Sequence, residues 1–317
     1  MTNKRLIYFI LVIAMIAQSG KSVNAAFLWR IQDARNTALG KVPEVESLYG
    51  TKEKFRLVSS YSGLCLGVGI DHLEAGRVRA IAGIGKAGCL NLEWSTLRLS
   101  NLYYEDVFNT TWVFDVPTLL GLGSSPLPGT TGILAEFGFN VLRHGYAPDE
   151  YSVNDPVFLS RTSKQNYSCN FGTVLQYPGW IVGIRILDLL EPDVGLASPD
   201  YVPLQAQLFA RVTRQGYRIA NIITVNELSF LTGITYRNQD WGSIWAKVNP
   251  AIGFEGKCLN RSLTVRAGIN SSSLSTGVGL HFNLWGIGNT TFDYTCTWPY
   301  SVSGPAFNHL ATVTFSL

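Results

Sequence analysis

The sequence has few charged residues and no apolar run long enough to cross a bilayer as a helix. Residues 6–17 are largely apolar, and every later apolar run is broken within a few positions by polar residues or glycine. A spanning helix needs roughly 20 apolar residues. Charged residues make up 15% of the chain, against about 25% in ordinary soluble proteins. With 12% aromatic residues and 31 glycines, this composition favours a closed β-barrel, because only helices and closed barrels satisfy every backbone group in lipid.

Net charge is also missing once residues 1–25 are set aside. That segment has the order of a secretory signal peptide, with a basic start, a short apolar stretch and small residues up to Ala25. It holds three of the 25 basic residues and no acidic one, which leaves 22 basic against 22 acidic residues. We therefore expect no nucleic-acid partner. We predict a cleaved signal peptide over 1–25, an N-terminal helical or plug segment over 26–54, with its helix over 27–40, and a barrel over 55–317.

The sequence lacks the usual motifs of metal and catalytic sites. The five cysteines include no Cys-x-x-Cys pair, and no two histidines have a metal-binding spacing. No Gly-x-Ser-x-Gly elbow occurs. A Gly-x-Gly-x-x-Gly match at 83–88 is followed by a predicted strand, where a nucleotide site requires a helix. We therefore expect no metal, no cofactor and no enzymatic activity. Whether the cysteines form one or two disulfides stays open, since spacing alone does not fix their pairing.

Segments that alternate between apolar and polar or small residues recur along the chain. The clearest are 133–142, 180–186, 263–269, 277–284 and 292–298, and the chain ends on another, 308–317. A period of two predicts strands, because an amphipathic helix would repeat every 3.6 residues. Such segments, separated by turn residues, are typical of transmembrane barrels. We predict an all-β fold, a transmembrane antiparallel β-barrel.

The polar faces of these segments supply candidates to line the lumen, the interior of the barrel. An Arg or Lys that faces lipid at the bilayer midplane costs about 2–4 kcal/mol, so strand charges are expected to face inward. The candidates are Glu136, Arg185, Glu255, Lys257, Arg266, His281 and Asp293. Two interpretations stay open: a salt-bridge network that holds the barrel, or a lining that selects solutes. Tryptophans near predicted strand ends are candidates for interfacial aromatic girdles: Trp112, Trp180, Trp241, Trp245, Trp285 and Trp298.

Several motifs near the two ends of the chain resemble a known family. They are an Arg-Ala-Gly strand at 265–269, a Gly-x-Gly strand at 275–280, an Asp-Tyr strand at 292–294, a Gly-x-Glu segment at 253–255 and an Ala-Arg-x-x-x-Leu-Gly segment at 34–40. This pattern is similar to that of the PorV/PorQ-like barrels, within the superfamily of FadL-type long-chain fatty-acid porins. The resemblance implies about 14 strands, within a range of roughly 12 to 16, and a short N-terminal segment inside the lumen. It also implies passive passage of hydrophobic or small solutes, or a scaffold role in a secretion system.

The combined hypothesis is a bacterial outer-membrane β-barrel exported by its signal peptide. Its expected partners are the lipid bilayer, lipopolysaccharide, the barrel-assembly machinery and, in the scaffold role, components of a secretion system. A soluble secreted β-sandwich that binds carbohydrate would show the same alternation and stays as an alternative. A further alternative is an outer-membrane hydrolase that pairs His281 with a serine.

Overall fold

A computed structural model describes most of the chain after residue 32. The described residues are 33–43, 55–65, 72–99, 103–122, 131–147, 162–196, 199–219, 223–238, 247–284, 288–300 and 308–317. The predicted signal peptide lies outside these ranges, so its cleavage stays a prediction.

Fourteen antiparallel strands form one closed barrel. Each strand pairs with its neighbours in sequence, and β1 closes the barrel against β14. The strands are β1 (Phe55–Cys65), β2 (His72–Gly83), β3 (Cys89–Leu99), β4 (Tyr103–Asp115), β5 (Gly132–Tyr146), β6 (Ser163–Tyr177), β7 (Trp180–Leu187), β8 (Gln205–Ile219), β9 (Ile223–Arg237), β10 (Val248–Cys258), β11 (Leu263–Asn270), β12 (Ser273–Leu284), β13 (Gly288–Pro299) and β14 (Asn308–Ser316). This confirms the predicted fold and the implied strand number. The described strands close on themselves and do not stack as two sheets, so the β-sandwich alternative is not supported.

Large apolar side chains cover the outside of the barrel, and polar side chains face the lumen. On β5, Phe137 and Phe139 are 51% and 42% exposed, whereas Glu136 and Asn140 are 3% and 0% exposed. Other outward apolar residues are Leu92, Phe108, Phe171, Ile184, Leu208, Phe254, Val265, Leu280 and Phe292. This is the reverse of a soluble protein, which places such side chains in its core. An outer surface of this kind fits hydrocarbon better than water.

The height of this apolar surface matches the core of a membrane. On β5 the outward apolar positions extend from Ile133 to Val141. At about 3.4 Å per residue they cover about 27 Å along the strand. A strand tilt of about 40° reduces this length to a height of about 21 Å, close to the band of about 25 Å on transmembrane barrels.

The two ends of the barrel differ in their connections. We define the lower end as the one where the chain enters β1 and leaves β14. Five of its six connections have at most five residues, and the sixth, 116–131, begins with the short helix α2 (Val116–Leu119). At the upper end the connections 147–162, 188–204 and 238–247 have ten residues or more. Among the described residues, no helix has the length and apolar character needed to span a membrane.

Residues 33–43, which we name the lumen segment, lie inside the barrel. Their helix, α1 (Ala34–Ala38), begins at Asp33, whose side chain accepts a hydrogen bond from the Asn36 amide at 2.7 Å, as N-caps do. Gly40 follows with a φ of +72°, a conformation that glycine adopts without a steric penalty. The short N-terminal helix is therefore confirmed, but it is described only over Ala34–Ala38. The earlier part of the helix predicted over 27–40 lies outside the described residues.

Candidate functional site in the barrel lumen

The lumen segment packs against a row of glycines on four consecutive strands, which we name the glycine track. The track consists of Gly233, Gly253, Gly268 and Gly277, on β9 to β12. A Cβ atom at Gly268 would lie 2.1 Å from the Gly40 nitrogen, and one at Gly253 would lie 2.6 Å from the Leu39 carbonyl oxygen. No side chain fits at such distances. The lumen segment therefore lies on bare backbone, a close approach that glycine in a strand permits.

Hydrogen bonds and apolar contacts fix the lumen segment on this track. The Ala34 amide donates to Thr312 Oγ1 at 2.8 Å, and Asn270 Nδ2 donates to the Gly40 carbonyl at 3.0 Å. Leu39 is fully buried and packs in a cluster with other apolar side chains: Val42, Leu231 and Ala251. Burying a side chain such as Leu or Val contributes about 1.5–3 kcal/mol.

Two charged residues of the lumen segment face opposite charges on the barrel wall. Arg35 donates to both carboxylate oxygens of Glu255, at 2.9 and 3.2 Å. Asp33 Oδ2 lies 3.6 Å from Arg79 Nη2 and 3.9 Å from Arg77 Nη1. Burial by itself would raise the pKa of Asp33, but the guanidinium groups of Arg77 and Arg79 outweigh it and hold that pKa below its ordinary value. The segment is thus held by charge on two distant strands, β2 and β10.

Glu255 also belongs to a row of ion pairs between nearby strands on the inner wall, which we name the charged ladder. Arg266 Nε donates to Glu255 Oε2 at 2.8 Å, and Arg266 Nη1 donates to Asp293. Gly279 lies on β12, between the strands of Arg266 and Asp293. A Cβ atom at Gly279 would lie 2.3 Å from Asp293 Oδ1 and 2.9 Å from Arg266 Nη1. Because Gly279 has no side chain, the Arg266 guanidinium can extend from β11 across β12 and reach Asp293 on β13.

The ladder continues on β8 and β9. Lys257 Nζ donates to Glu227 Oε1 at 2.9 Å. Arg211 Nη2 lies 3.4 Å from Glu227 Oε1 and 3.9 Å from Glu255 Oε1. Pairing of this kind is what allows charges to be buried, because a buried charge without a partner is costly.

A second ion pair crosses a strand over a glycine in the same manner. Arg185 on β7 donates to Glu136 on β5 at 2.6 Å. Gly172 on β6 stands between them in register, and a Cβ atom there would lie 3.0 Å from Arg185 Cγ. The predicted lumen residues Glu136, Arg185, Glu255, Lys257, Arg266 and Asp293 thus all face inward and take part in ion pairs. This geometry is the one expected of a network that holds the barrel.

The remaining lumen candidate, His281, lies between two threonines. Its Nε2 is 2.9 Å from Thr264 Oγ1, and its Nδ1 is 2.9 Å from Thr291 Oγ1. Both ring nitrogens therefore have hydroxyl partners from the neighbouring strands. In the described part of the chain, no hydrogen bond joins the His281 ring to a serine hydroxyl, which the hydrolase alternative requires.

An apolar patch lines the lower part of the lumen on β2 to β8. Its buried members are Ile81, Cys89, Val113, Leu134, Val174 and Phe209, with Ile181 packed against them. The Phe209 ring lies over Gly183, where a Cβ atom would come within 2.3 Å of the ring. The inner wall therefore carries an apolar patch near the lower end of β2 to β8 in addition to the charged ladder.

The connection between β7 and β8 folds back into the upper part of the lumen. Val194 and Val202 are fully buried and pack on the inward side chains Val107 and Leu142. His144 Nε2 contacts the Val194 carbonyl oxygen. These contacts place Val194 and Val202 inside the upper lumen.

Asp193 organises this connection. Lys164 Nζ donates to Asp193 Oδ2 at 2.6 Å, and the amides of Gly195 and Asp200 each donate to Oδ1 at 2.9 Å. The hydrogen bond from Lys164 is the largest of the effects that lower the pKa of Asp193 to about 2. The carboxylate therefore stays ionised over the whole physiological range.

Three of the predicted girdle tryptophans lie near strand ends. Trp112 is near the lower end of β4 and donates from Nε1 to the Ala87 carbonyl at 2.7 Å. Trp180 stacks on Tyr177 at a centroid distance of 3.8 Å, also at the lower end. Trp298 is 52% exposed near the upper end of β13. The other three girdle candidates, Trp241, Trp245 and Trp285, lie outside the described residues.

Among the described cysteine side chains, Cys169, Cys258 and Cys296 are free thiols. Within the described part of the chain, no group of His, Cys, Asp and Glu has a metal-binding arrangement.

The sequence predicted Glu255 as a lumen residue but did not identify the other charged residues that hold the lumen segment. Arg77 and Arg79 stand two positions apart in β2, so the period of two that identified the other inward charges could have found them. Asp33 and Arg35 lie outside every strand, where alternation carries no signal. Gly253, Gly268 and Gly277 occur in the family-like motifs, but the sequence did not predict that they form a track, because their alignment depends on the register of four strands.

Comparisons with known proteins show likeness in structure only. No protein-family model matches the sequence, and no curated protein matches it. Among solved structures, the Pseudomonas aeruginosa FadL homologue is similar with a TM-score of 0.49 and 9% identity, over 91% of this chain and 98% of that one. The Ralstonia pickettii toluene transporter TbuX gives 0.48 and 9%, over 90% and 97%, and the Acinetobacter baumannii outer membrane protein Omp33 gives 0.45 and 6%, over 84% and 98%. At these values the likeness carries no conclusion about function, and the PorV/PorQ-like assignment stays a prediction.

Proposed function

We propose that this protein is a bacterial outer-membrane barrel through which hydrophobic or small solutes pass, and that the lumen segment closes the path at rest. The outward apolar surface, with a height of about 21 Å from strand geometry, supports placement in a membrane. Short turns at one end and longer connections at the other are typical of outer-membrane barrels, whose short turns face the periplasm. The lower end is therefore periplasmic in this proposal, and the upper end faces the exterior.

The proposal assigns partners that follow from this placement. The outer surface contacts the bilayer and, at the upper end, lipopolysaccharide. The barrel-assembly machinery inserts the exported chain. Export itself follows from the predicted signal peptide over residues 1–25.

The apolar patch in the lower lumen is the observation that carries the solute class. Phe209 and its neighbours form an apolar surface inside a barrel in which the six predicted charged residues of the lumen are paired. Paired charges give little net field to concentrate ions, whereas an apolar surface favours neutral or hydrophobic solutes. In this proposal the predicted lumen residues shape the path, and their pairing keeps it from selecting ions.

Solute flux into proteoliposomes tests this function. The double variant Asp33→Asn/Arg35→Gln is expected to loosen the lumen segment, because it removes the charges that face Arg77, Arg79 and Glu255 but adds no bulk. Arg214→Gln is the matched control, because Arg214 is an exposed residue near the lower end of β8. We expect faster uptake of a small aromatic hydrocarbon in the double variant and no change in the control. Equal uptake by wild type, double variant and protein-free liposomes would refute a transport role.

A secretion-system scaffold is the second candidate. The observation that favours it is the filling of the lumen from two sides, by the lumen segment and by residues 188–204. A scaffold would stay sealed even after the lumen segment is released. Absence of flux in the double variant, with the barrel still folded, would therefore favour the scaffold over the solute path.

A further inference from the structure

On the outer face of β3 to β5, apolar side chains are replaced by charged ones between one outward-facing row of residues and the next row toward the upper end. The uppermost apolar row consists of Trp94, Phe108 and Val141. The next row toward the upper end contains Asp106 and Arg143, and the row above it contains Arg98 and Tyr104. These side chains therefore lie at the upper edge of the apolar surface, where hydrocarbon gives way to headgroups.

A single aromatic ring organises the two arginines of this edge. A Cβ atom at Gly145 would lie 2.7 Å from the Tyr104 hydroxyl and 2.8 Å from its ring carbon Cζ, so the ring lies across bare backbone. The Arg143 guanidinium carbon is 5.4 Å from the centre of the Tyr104 ring, and that of Arg98 is 6.0 Å from it. Both distances are within the range of cation–π contacts. Tyr104 thus holds two guanidinium groups near one another on the outer wall.

Both guanidinium groups are available to a ligand. The Arg98 side chain is 49% exposed, and Arg143 is also exposed. Within the described residues, neither guanidinium donates a hydrogen bond. Asp106 lies 3.8 Å from Arg98 Nη2, and Glu74 faces Arg98 in register. With these two carboxylates the group is formally neutral, so it acts by directed hydrogen bonds at short range and not through a long-range field.

We propose that Arg98 and Arg143 bind a phosphate group of lipid A, the phosphorylated glycolipid of the outer leaflet. Guanidinium groups bind phosphate through paired, charge-assisted hydrogen bonds. Their position at the upper edge of the apolar surface places them at the level of lipid phosphates. This inference depends on the outer-membrane placement and orientation of the proposed function, and it adds a lipid site on the outer wall that is independent of the lumen.

Native mass spectrometry of the detergent-solubilised barrel tests the site. The probes are bis-phosphorylated lipid A, the same lipid A without phosphates, and phosphatidylglycerol. The variants are Arg98→Gln/Arg143→Gln and Arg143→Lys, with Arg214→Gln as the control at the opposite end. We expect the double variant to bind bis-phosphorylated lipid A at least about tenfold more weakly than wild type, because two charge-assisted contacts are lost. Arg143→Lys should lie between them, because a lysine keeps the charge but loses the fork, and Arg214→Gln should match wild type.

Three results would overturn the inference. They are unchanged lipid A binding by the double variant, equal binding of dephosphorylated lipid A to wild type, and phosphatidylglycerol binding as tight as that of lipid A. Heat-modifiable gel mobility serves as the fold control for every variant. The assay measures lipid binding and not flux. An absence of lipid A binding would therefore not contradict the proposed solute path, and an absence of flux would not contradict the proposed lipid A site.

Discussion

Replacing Gly268 by alanine is expected to dislodge the lumen segment without changing any charge. The new methyl group would lie 2.1 Å from the Gly40 nitrogen and 2.2 Å from the Leu39 carbonyl carbon. Both atoms are backbone, so no side-chain rotation relieves the clash. Gly256→Ala is the matched control, because its methyl group would meet only Leu228 Cδ1, at an ordinary 3.9 Å. Neither glycine has a positive φ, so the two variants differ in packing and not in backbone strain.

The expected magnitude follows from the contacts of the segment. Overpacking a tight site costs about 1–3 kcal/mol. A cost of that size raises the population of the undocked segment by a factor of about 5 to 150. Undocking also breaks the hydrogen bond from Asn270 to Gly40 and exposes Leu39, which is buried in wild type.

Hydrogen exchange of the lumen segment, read by mass spectrometry in detergent micelles, measures this population. Protection of the amides between Leu39 and Val42 should fall in Gly268→Ala and stay at the wild-type level in Gly256→Ala. Exchange in the barrel strands reports whether the fold is intact. Wild-type protection of the segment in a folded Gly268→Ala protein would refute the docking geometry.

Three other substitutions test separate parts of the lumen. Gly279→Ala should crowd the Arg266–Asp293 ion pair and lower unfolding stability by about 1–3 kcal/mol, the usual cost of overpacking a tight site, as measured by urea unfolding in lipid vesicles. Phe209→Ala should cost about 3–5 kcal/mol by the same assay, and a loss below about 1 kcal/mol would show that the apolar patch is not packed. The pKa of Asp193 is lowered to about 2 from 3.8. The ionised carboxylate therefore contributes fully to folding stability at pH values above 3.8, and this contribution is lost as the pH falls through about 2. Carbon NMR should show titration near that pH, and Lys164→Met should move it toward 3.8.

The barrel could be predicted from sequence because its exterior and interior impose opposite demands on successive residues. Segment 292–298 alternates strictly and segment 133–142 largely so, since one face meets the apolar exterior and the other the lumen. The inward position of Glu136 and Arg266 followed from the cost of a charge on the apolar face. Their partners did not follow, because Arg185 and Asp293 each lie two strands away and reach them over a glycine.

The sequence predicted a helical or plug segment over 26–54, but it did not predict how residues 33–43 dock inside the barrel. Its docking needs four glycines to align across β9 to β12, and register depends on the turn geometry of each hairpin. The fold of residues 188–204 into the lumen was equally open. Val194 and Val202 stand in a stretch without periodicity, so nothing local identified them as buried.

Methyl NMR in lipid nanodiscs tests the central claim, that one closed barrel faces hydrocarbon with its outward side chains. We expect nuclear Overhauser contacts to lipid acyl chains from the outward methyl groups of Ile184, Val265 and Leu280. We expect none from the inward methyl groups of Val113, Leu134 and Val174. Acyl-chain contacts to the inward set, or outward methyl groups relaxed only by a water-soluble paramagnetic probe, would contradict the claim.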